Sequence, residues 1–490
     1  MSFQKLLHTI KTNRLPVDPV LLELAYDFAR EAHKGMKRKN GEPYINHPLR
    51  TATLLAELKL DEKTIIAGLL HDVPEDTTKT LKEIEKDFGE EVAKLVEGIT
   101  KLGTIKYRGI ARYAENLRKM FIAMALDIRT IFIKFADRID NLETLSALPP
   151  HKRERIAKES LEIYAPIANR LGIGLLKGRL EDLAFPYVFP KEYKKTLQLL
   201  KEEHSERKTC LKVLRHQITS ILRDNNIEFI SVHGRTKHLY SLFKKLERYD
   251  NDMNRIYDII ALRIVVKTIE DCYKVLGIIH AEYKPLIGRI KDYIAQPKPN
   301  GYKSLHTTVF AKDGHIVEFQ IRTEQMHIET EYGIAAHWYY EETESLTNTD
   351  KRLEWVEELA KWQAELGEIK DTKKYLETLK IDVFQNRIFV FTPDGDVIDL
   401  PEESTVVDFA YHIHTEVGDH CTSAKVNGKI VPLNFKLKSG DMAEIIVDKN
   451  RKGPNPDWLK FVKTGTARTK IRSQAEKRSW FKFPFIGNKG

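Results

Sequence analysis

Residues 64–77 read TIIAGLLHDVPEDT, and this stretch sets the character of the first third of the chain. Its apolar residues, Ile65, Ile66, Leu69 and Leu70, fall at helical rather than alternating spacing. The same period recurs upstream in LLELAYDFAREAH, so residues from 20 to about 185 read as helices. The apolar run then gives way to His71, Asp72, Glu75 and Asp76 within roughly one and a half helical turns. On one continuous helix, residues four apart share a face, which stacks His71 on Glu75 and Asp72 on Asp76. Taken alone, the string also describes a solvated helix end.

Two further strings lift it above that reading. Upstream lies RKNGEPYINHP, with Arg38 and His47; downstream lies IKFADRIDNLETL, with Asp137, Asn141 and Thr144. Asp137 follows the apolar run TIFIKFA, so its carboxylate is expected near the core, where it is costly unless paired or bound to a metal. His47, His71, Asp72 and Asp137 make a mixed nitrogen and oxygen set that suits a divalent transition metal such as Mn²⁺. Such an ion lowers the pKa of water and polarises a phosphoryl oxygen. Glu75 and Asp76 follow one turn later, placed to orient that water or move its proton.

Beyond a charged stretch from Lys191 to Lys212, which reads as a connecting helix, the pattern changes. Strand-like runs (IEFISV, IIALRIVV, HTTVF, IVEFQI) alternate with helical segments, giving an α/β or α+β domain over roughly 215 to 340. Moving a pyrophosphoryl group needs cations along the phosphates, carboxylates for Mg²⁺ and a base near the attacking hydroxyl. Arg235, Lys237, Lys245 and Arg263 supply the charge. Asp258 and Glu318 form a plausible Mg²⁺ clamp. Tyr302 follows Asn300-Gly301 in a turn, ready to stack on a base, with Lys303 and His306 beside it for the acceptor's phosphates. Any one of these is ordinary strand-flanking charge; the set is the signal.

The 490 residues, 42% hydrophobic and 31% charged, suit about three globular domains. No apolar run approaches the roughly 20 residues that span a bilayer, and the N-terminus has no signal-peptide pattern, so the expected location is the cytoplasm. Cys210, Cys272 and Cys421 are scattered and odd in number, which excludes a disulfide framework or zinc site. Residues 382–447 look β-rich, with turns at PDGD, NG and SGD. From Asp448 to Gly490 there are 12 Lys/Arg against three Asp/Glu, so the whole net charge of +9 sits in that tail. Trp458, Phe461, Trp480, Phe481 and Phe483 lie among these cations, a composition that suits RNA contact with base stacking, which is favoured, an interfacial membrane segment, or an otherwise buried helix exposed by truncation.

These strings, in this order, resemble the long RelA/SpoT-type stringent-response enzymes, a branch of the HD superfamily. The resemblance implies an all-α HD hydrolase domain over 1–195, then an α/β nucleotidyltransferase-like synthetase domain over 196–340. It implies a helical linker over 341–381, a small β-grasp TGS domain over 382–447, and a basic tail over 448–490 that opens a helical region. In the first domain, His47, His71, Asp72 and Asp137 would hold Mn²⁺, Glu75 and Asp76 would serve the water, and Arg38, Lys39, Asn141 and Thr144 would contact a guanosine nucleotide. Pro74 within the metal segment, and Asp140 where many members carry His, are departures; the second bears on nucleotide contacts.

In the second domain, the resemblance implies transfer of the β,γ-pyrophosphate of ATP to the 3′-hydroxyl of GDP or GTP. Asp258 and Glu318 would bind Mg²⁺, with Glu318 also activating the hydroxyl. Arg235, Lys237, Lys245 and Arg263 would grip ATP, while Asn300, Tyr302, Lys303 and His306 surround the acceptor. Arg289-Ile290-Lys291-Asp292 matches the basic RxKD signature of bifunctional members, which places Lys291 at the same site. His414 would meet the acceptor end of tRNA, making tRNA and the ribosome partners beside ATP, GDP/GTP and (p)ppGpp. The zinc-finger-like and ACT modules of long members have no counterpart in these 490 residues. Two active sites that synthesise and hydrolyse (p)ppGpp need antagonistic coupling, expected through the connector near 190–215. The rival readings are a tRNA- or ribosome-binding regulator with silent active sites, and a protein active only as a hydrolase.

Overall fold

The computed structural model describes residues 2–480 apart from 104–109, 203, 236–237, 254–255, 257–260, 299, 312–313, 337–386, 439, 449 and 452. Lys237, Asp258, the 341–381 linker, Phe481 and Phe483 therefore lie outside the described residues. The chain separates into two compact units. One comprises residues 1–108 and 115–367, the other 109–114 and 368–490.

The first unit begins with helices. Three of them, Asn46–Glu57, Glu62–Leu70 and Arg129–Glu143, form its centre, and from Thr64 to Leu70 every side chain is buried. Asp61 starts the second of these by accepting from the backbone N–H of Thr64 at 3.0 Å, which satisfies a donor the helix itself leaves open. The helix ends at Leu70 and a new one starts at Val73 with Pro74 in its first turn, where a missing N–H costs nothing. His71 and Asp72 thus sit at a break between two helices, not on the continuous helix expected from spacing, though both keep right-handed helical backbone and Asp76 N still donates to the carbonyl of Asp72 at 3.0 Å.

The second half of this unit is a five-stranded mixed sheet in the order β1-β2-β5-β4-β3. The strands are β1 (Phe229–Gly234), β2 (Ala261–Val266), β3 (Lys291–Asp292), β4 (Leu305–Phe310) and β5 (Ile316–Thr323). β2 and β5 run parallel, with Ala261 opposite Glu318 and Arg263 opposite Gln320. Alternation sends Leu262, Ile264, Phe319 and Ile321 to one face, where they pack with Cys210, Leu214, Cys272 and Ile279. The opposite face therefore carries Arg263, His306, Glu318, Gln320 and Arg322. The expected connector is helical on both sides of residue 203, as Pro190–Glu202 and His204–Asp224. Its second helix supplies Cys210, Leu214, Ile218 and Leu222 to the sheet's core, so it belongs to this domain.

Helices and sheet touch earlier in the chain than that connector. Asn300 Nδ2 donates to the carbonyl of Asn169 at 3.2 Å, and Ile334 N donates to that of Leu171 at 3.1 Å. Asp182 accepts from His238 Nδ1 at 2.7 Å and from Tyr240 N at 3.0 Å. Gly172 and Gly333, both left-handed at φ 77° and 59°, make this approach possible.

In the second unit, β8 (Cys421–Val426) lies between β10 (Ala443–Val447) and β9 (Lys429–Val431), and β6 (Arg387–Phe391) pairs with β7 (Val397–Pro401). Helix Val406–Ile413 covers them with Val406 and Phe409. Its other side buries Val407, Ala410 and Tyr411 against Trp458, Val462, Ala467 and Ile471. The fully buried Asp408 ties the two segments together. One oxygen accepts from Thr405, and the other from the backbone N–H groups of Lys463 (2.9 Å) and Thr464 (2.7 Å). The basic stretch after residue 448 thus begins as part of this core. Trp458, grouped above with residues for base stacking, is buried beneath the guanidinium of Arg451.

Candidate active sites

The three central helices of the first unit converge on His47, His71, Asp72 and Asp137. One ligand atom from each of His47, His71 and Asp137 falls within 4.8 Å of the others, and all three residues are buried. Asp72 joins them, 3.3 Å from His47 Nε2 and 3.2 Å from His71 Nε2. His71 Nδ1 donates to the carbonyl of Gly68 at 2.9 Å, so its Nε2 keeps a lone pair that faces the cluster. That Nε2 is fully buried and has no hydrogen-bond partner. Burial opposes ionisation of Asp72, but the neighbouring His71 and His47 hold its carboxyl below the usual range. For Asp137 burial is likewise overcome, first by Lys134, 2.8 Å away, then by His47. An orphaned imidazole nitrogen facing buried carboxylates is what a divalent cation would complete, and the donor set fits one.

Glu75 and Asp76 stand at the cluster's edge. Glu75 keeps one side open to solvent, yet burial of the rest and the charge of Asp72 push its carboxyl up to about 7. Sequence reading passed over Tyr44, three residues before His47. Its hydroxyl donates to Asp72 at 2.9 Å and also lies against Asp76, while its ring stacks on His33 at 4.8 Å. Arg38 is turned to Asp140 and Asn141, and the Thr144 hydroxyl donates to the backbone carbonyl of Asp140 at 3.1 Å. Lys39 is exposed. Asp140 itself is 2% exposed and faces His47, Arg38 and Arg50. It is thus a partner of His47, a residue of the ligand set.

The polar face of the sheet lines a cavity of about 390 Å³, closed on one side by residues from Asn169 to Gly178 of the helical part. Arg235, Arg263, Asn300, Tyr302 and His306 all line it, as expected for one site. Tyr302 and His306 join through their side chains at 2.7 Å, and His306 Nδ1 lies 3.4 Å from Glu318, which also accepts from Gln320 at 2.6 Å. Lys291 pairs with His306 across β3 and β4, and Lys245 lies half-buried on helix Leu239–Arg248. Lys303 is 3.6 Å from Glu329, outside the lining set.

Three contributors were not singled out from sequence. Lys298 places its amine 4.5 and 4.9 Å from the rings of Tyr293 and Tyr302. Burial of that end, with the charges of Lys291 and Arg235, pushes it down to about 8. Arg322 is fully buried, and burial with the nearby Arg263 pushes it down to about 10. Glu331 binds Arg263 at 2.7 Å and Arg322 at 3.3 Å. In the second unit, His414 is exposed, and its Nδ1 accepts from Glu416 N at 3.3 Å as the cap of helix Thr415–His420.

Among the described residues, no helix is long and apolar enough to cross a membrane. Three family models match the chain: the HD domain over 25–174, the region found in RelA / SpoT proteins over 234–345, and the TGS domain over 388–447. The guanosine-3′,5′-bis(diphosphate) 3′-pyrophosphohydrolase of Aquifex aeolicus is 48% identical over 93% of this chain and 65% of its own length. The GTP pyrophosphokinase of Myxococcus xanthus is 48% identical over 92% and 60%. The bifunctional (p)ppGpp synthase/hydrolase SpoT of Escherichia coli is 45% identical over 96% and 67%. The chain thus spans about two thirds or less of these relatives. With three matching domains in sequence and such identity along almost its whole length, the chain belongs to the RelA/SpoT family.

Proposed function

We propose that this chain both makes and degrades (p)ppGpp. The observation that carries the reading is that two sets of chemistry-bearing residues stand in one chain, with a buried nitrogen and oxygen cluster in the first and a cation-lined cavity in the second. For hydrolysis, His47, His71, Asp72 and Asp137 hold a divalent cation, read as Mn²⁺. That ion supplies a Lewis acid at the 3′-pyrophosphate and lowers the pKa of water beside it. Glu75, held up to about 7, takes the proton of the attacking water, and Asp76, gripped by Tyr44, orients it. Arg38, Lys39, Asn141 and Thr144 receive the nucleotide.

For synthesis, Arg235, Lys237, Lys245 and Arg263 bind the phosphates of ATP, and Asp258 with Glu318 hold Mg²⁺. Tyr302 stacks on guanine, with Asn300, Lys291, Lys303 and His306 around the acceptor. Glu318 takes the proton of the 3′-hydroxyl. The 3′-oxygen then bonds to the β-phosphorus of ATP as the bond to the α-phosphate oxygen breaks and AMP leaves. The TGS domain, through His414, and the basic tail are read as contacts for tRNA and the ribosome, in the cytoplasm.

The test is to incubate the purified chain with ATP, Mg²⁺ and Mn²⁺, with and without GDP, and separate the nucleotides by anion exchange. AMP formed only with GDP, followed by rise and decay of ppGpp, is the expected result. No GDP-dependent AMP would remove the synthetase reading. Persistence of added ppGpp would remove the hydrolase.

A further inference from the structure

We propose that Asp140 is a positioning residue: it fixes the tautomer and orientation of His47, and thereby sets how tightly the first cluster holds a divalent cation. The proposal rests on the reading of His47, His71, Asp72 and Asp137 as cation ligands, and extends it to a residue that is not one.

Helix Arg129–Glu143 carries Asp137 and Asp140 three residues apart, on one face. Between them they address both nitrogens of a single imidazole. Asp137 Oδ1 lies 3.4 Å from His47 Nε2, and Asp140 Oδ2 lies 2.6 Å from His47 Nδ1. An ionised carboxylate only accepts, so Nδ1 must carry the proton and donate it to Asp140. Nε2 is then the nitrogen left to face Asp72 and Asp137, where the cation would sit. A carboxylate behind a ligand histidine locks its ring and raises its basicity.

Asp140 is itself held in place. Arg38 shares its Oδ2, and Arg50 Nε binds its Oδ1. Arg50 is anchored in turn by Glu42, whose two oxygens lie 2.5 and 3.0 Å from its Nη2 and Nη1. With both oxygens occupied behind the ring, Asp140 is not placed to reach a cation at Nε2. Arg38, a residue read as receiving the nucleotide, leans on the same carboxylate, so ligand geometry and substrate binding share one support.

The experiment is calorimetric titration of MnCl₂ into the metal-free full chain, for wild type, Asp140→Asn and Arg50→Gln. Asp140→Asn keeps the shape but offers three donors a neutral group with one acceptor oxygen. Its Kd for Mn²⁺ should rise by about 10-fold or more. Arg50→Gln should lower the melting temperature and raise the Kd far less than Asp140→Asn, because Arg38 still holds Asp140 and the His47–Asp140 bond survives. An unchanged Kd in Asp140→Asn overturns the proposal, and so does an equal rise in Arg50→Gln, which would make Asp140 part of a general ion cluster. If Asp140→Asn does not fold, Asp140→Glu, which keeps the charge but displaces it by one methylene, is read by the same two outcomes. Failure of the wild type to take up Mn²⁺ would instead remove the ligand reading, and the proposal with it.

Discussion

A Cβ placed on Gly172 would stand 2.6 Å from the carbonyl oxygen of Asn300. These residues belong to the helical and the sheet-bearing halves of the first unit, and Asn300 lines the cavity read as the synthetase site. Gly172→Ala meets two penalties: the left-handed backbone at φ 77°, about 1–2 kcal/mol, and a contact that the Asn300 loop must yield to relieve. The variant should melt earlier than wild type and bind GDP more weakly, as read by thermal denaturation and calorimetry. GDP affinity equal to wild type would show that the cavity does not depend on this contact.

Tyr44→Phe removes one hydroxyl and keeps the ring stacked on His33. Asp72 and Asp76 lose a shared donor, which is worth about 1.5–3 kcal/mol for a bond to a charged group. The expected effect is a fall of about 10-fold in ppGpp hydrolysis with little change in melting temperature and none in synthesis. A fall in melting temperature with an unaltered hydrolytic rate would reduce Tyr44 to packing.

Lys298 gives a pH dependence whose sign follows from its environment. Its amine is pushed down to about 8, so it is charged at pH 7 and increasingly neutral above pH 8. An anionic nucleotide binds the charged form better, so affinity for GDP should weaken from pH 7 to pH 9. Lys298→Arg keeps its charge over that range and should flatten the profile. Parallel profiles for the two proteins would remove Lys298 from the binding site.

Asp408 makes the second unit sensitive to one carboxylate. Asp408→Ala leaves the amides of Thr405, Lys463 and Thr464 without their acceptor, at a cost of about 3–5 kcal/mol. Hydrogen exchange at residues 458–471 should rise sharply, while exchange in the first unit is unaffected. Wild-type protection there would mean that Trp458, Val462 and Ile471 hold the segment without it.

Local chemistry carried a large part of this reading. The helical period before His71, the switch to alternation after Glu228, and four separated strings of His, Asp, Lys and Arg are properties of the chain itself. Ligand types and sheet-face residues could be named from them because side-chain chemistry and periodicity are local. The break between Leu70 and Val73 could also be suspected, since Pro74 is a local signal. What only the folded chain decided were the pairings across long separations. That Asp140 turns inward to His47, 93 residues away, is set by how two helices cross. Tyr44 reaches Asp72 and Asp76 for the same reason, and so do Asn169 to Gly178 come to wall a cavity otherwise lined by residues from His233 to Glu331. The basic tail shows the limit most clearly. Its composition reads as a free polyanion surface, yet Trp458 and Ile471 bury themselves on Tyr411 and Val407, because an apolar helix face must be covered by whatever segment the fold brings to it.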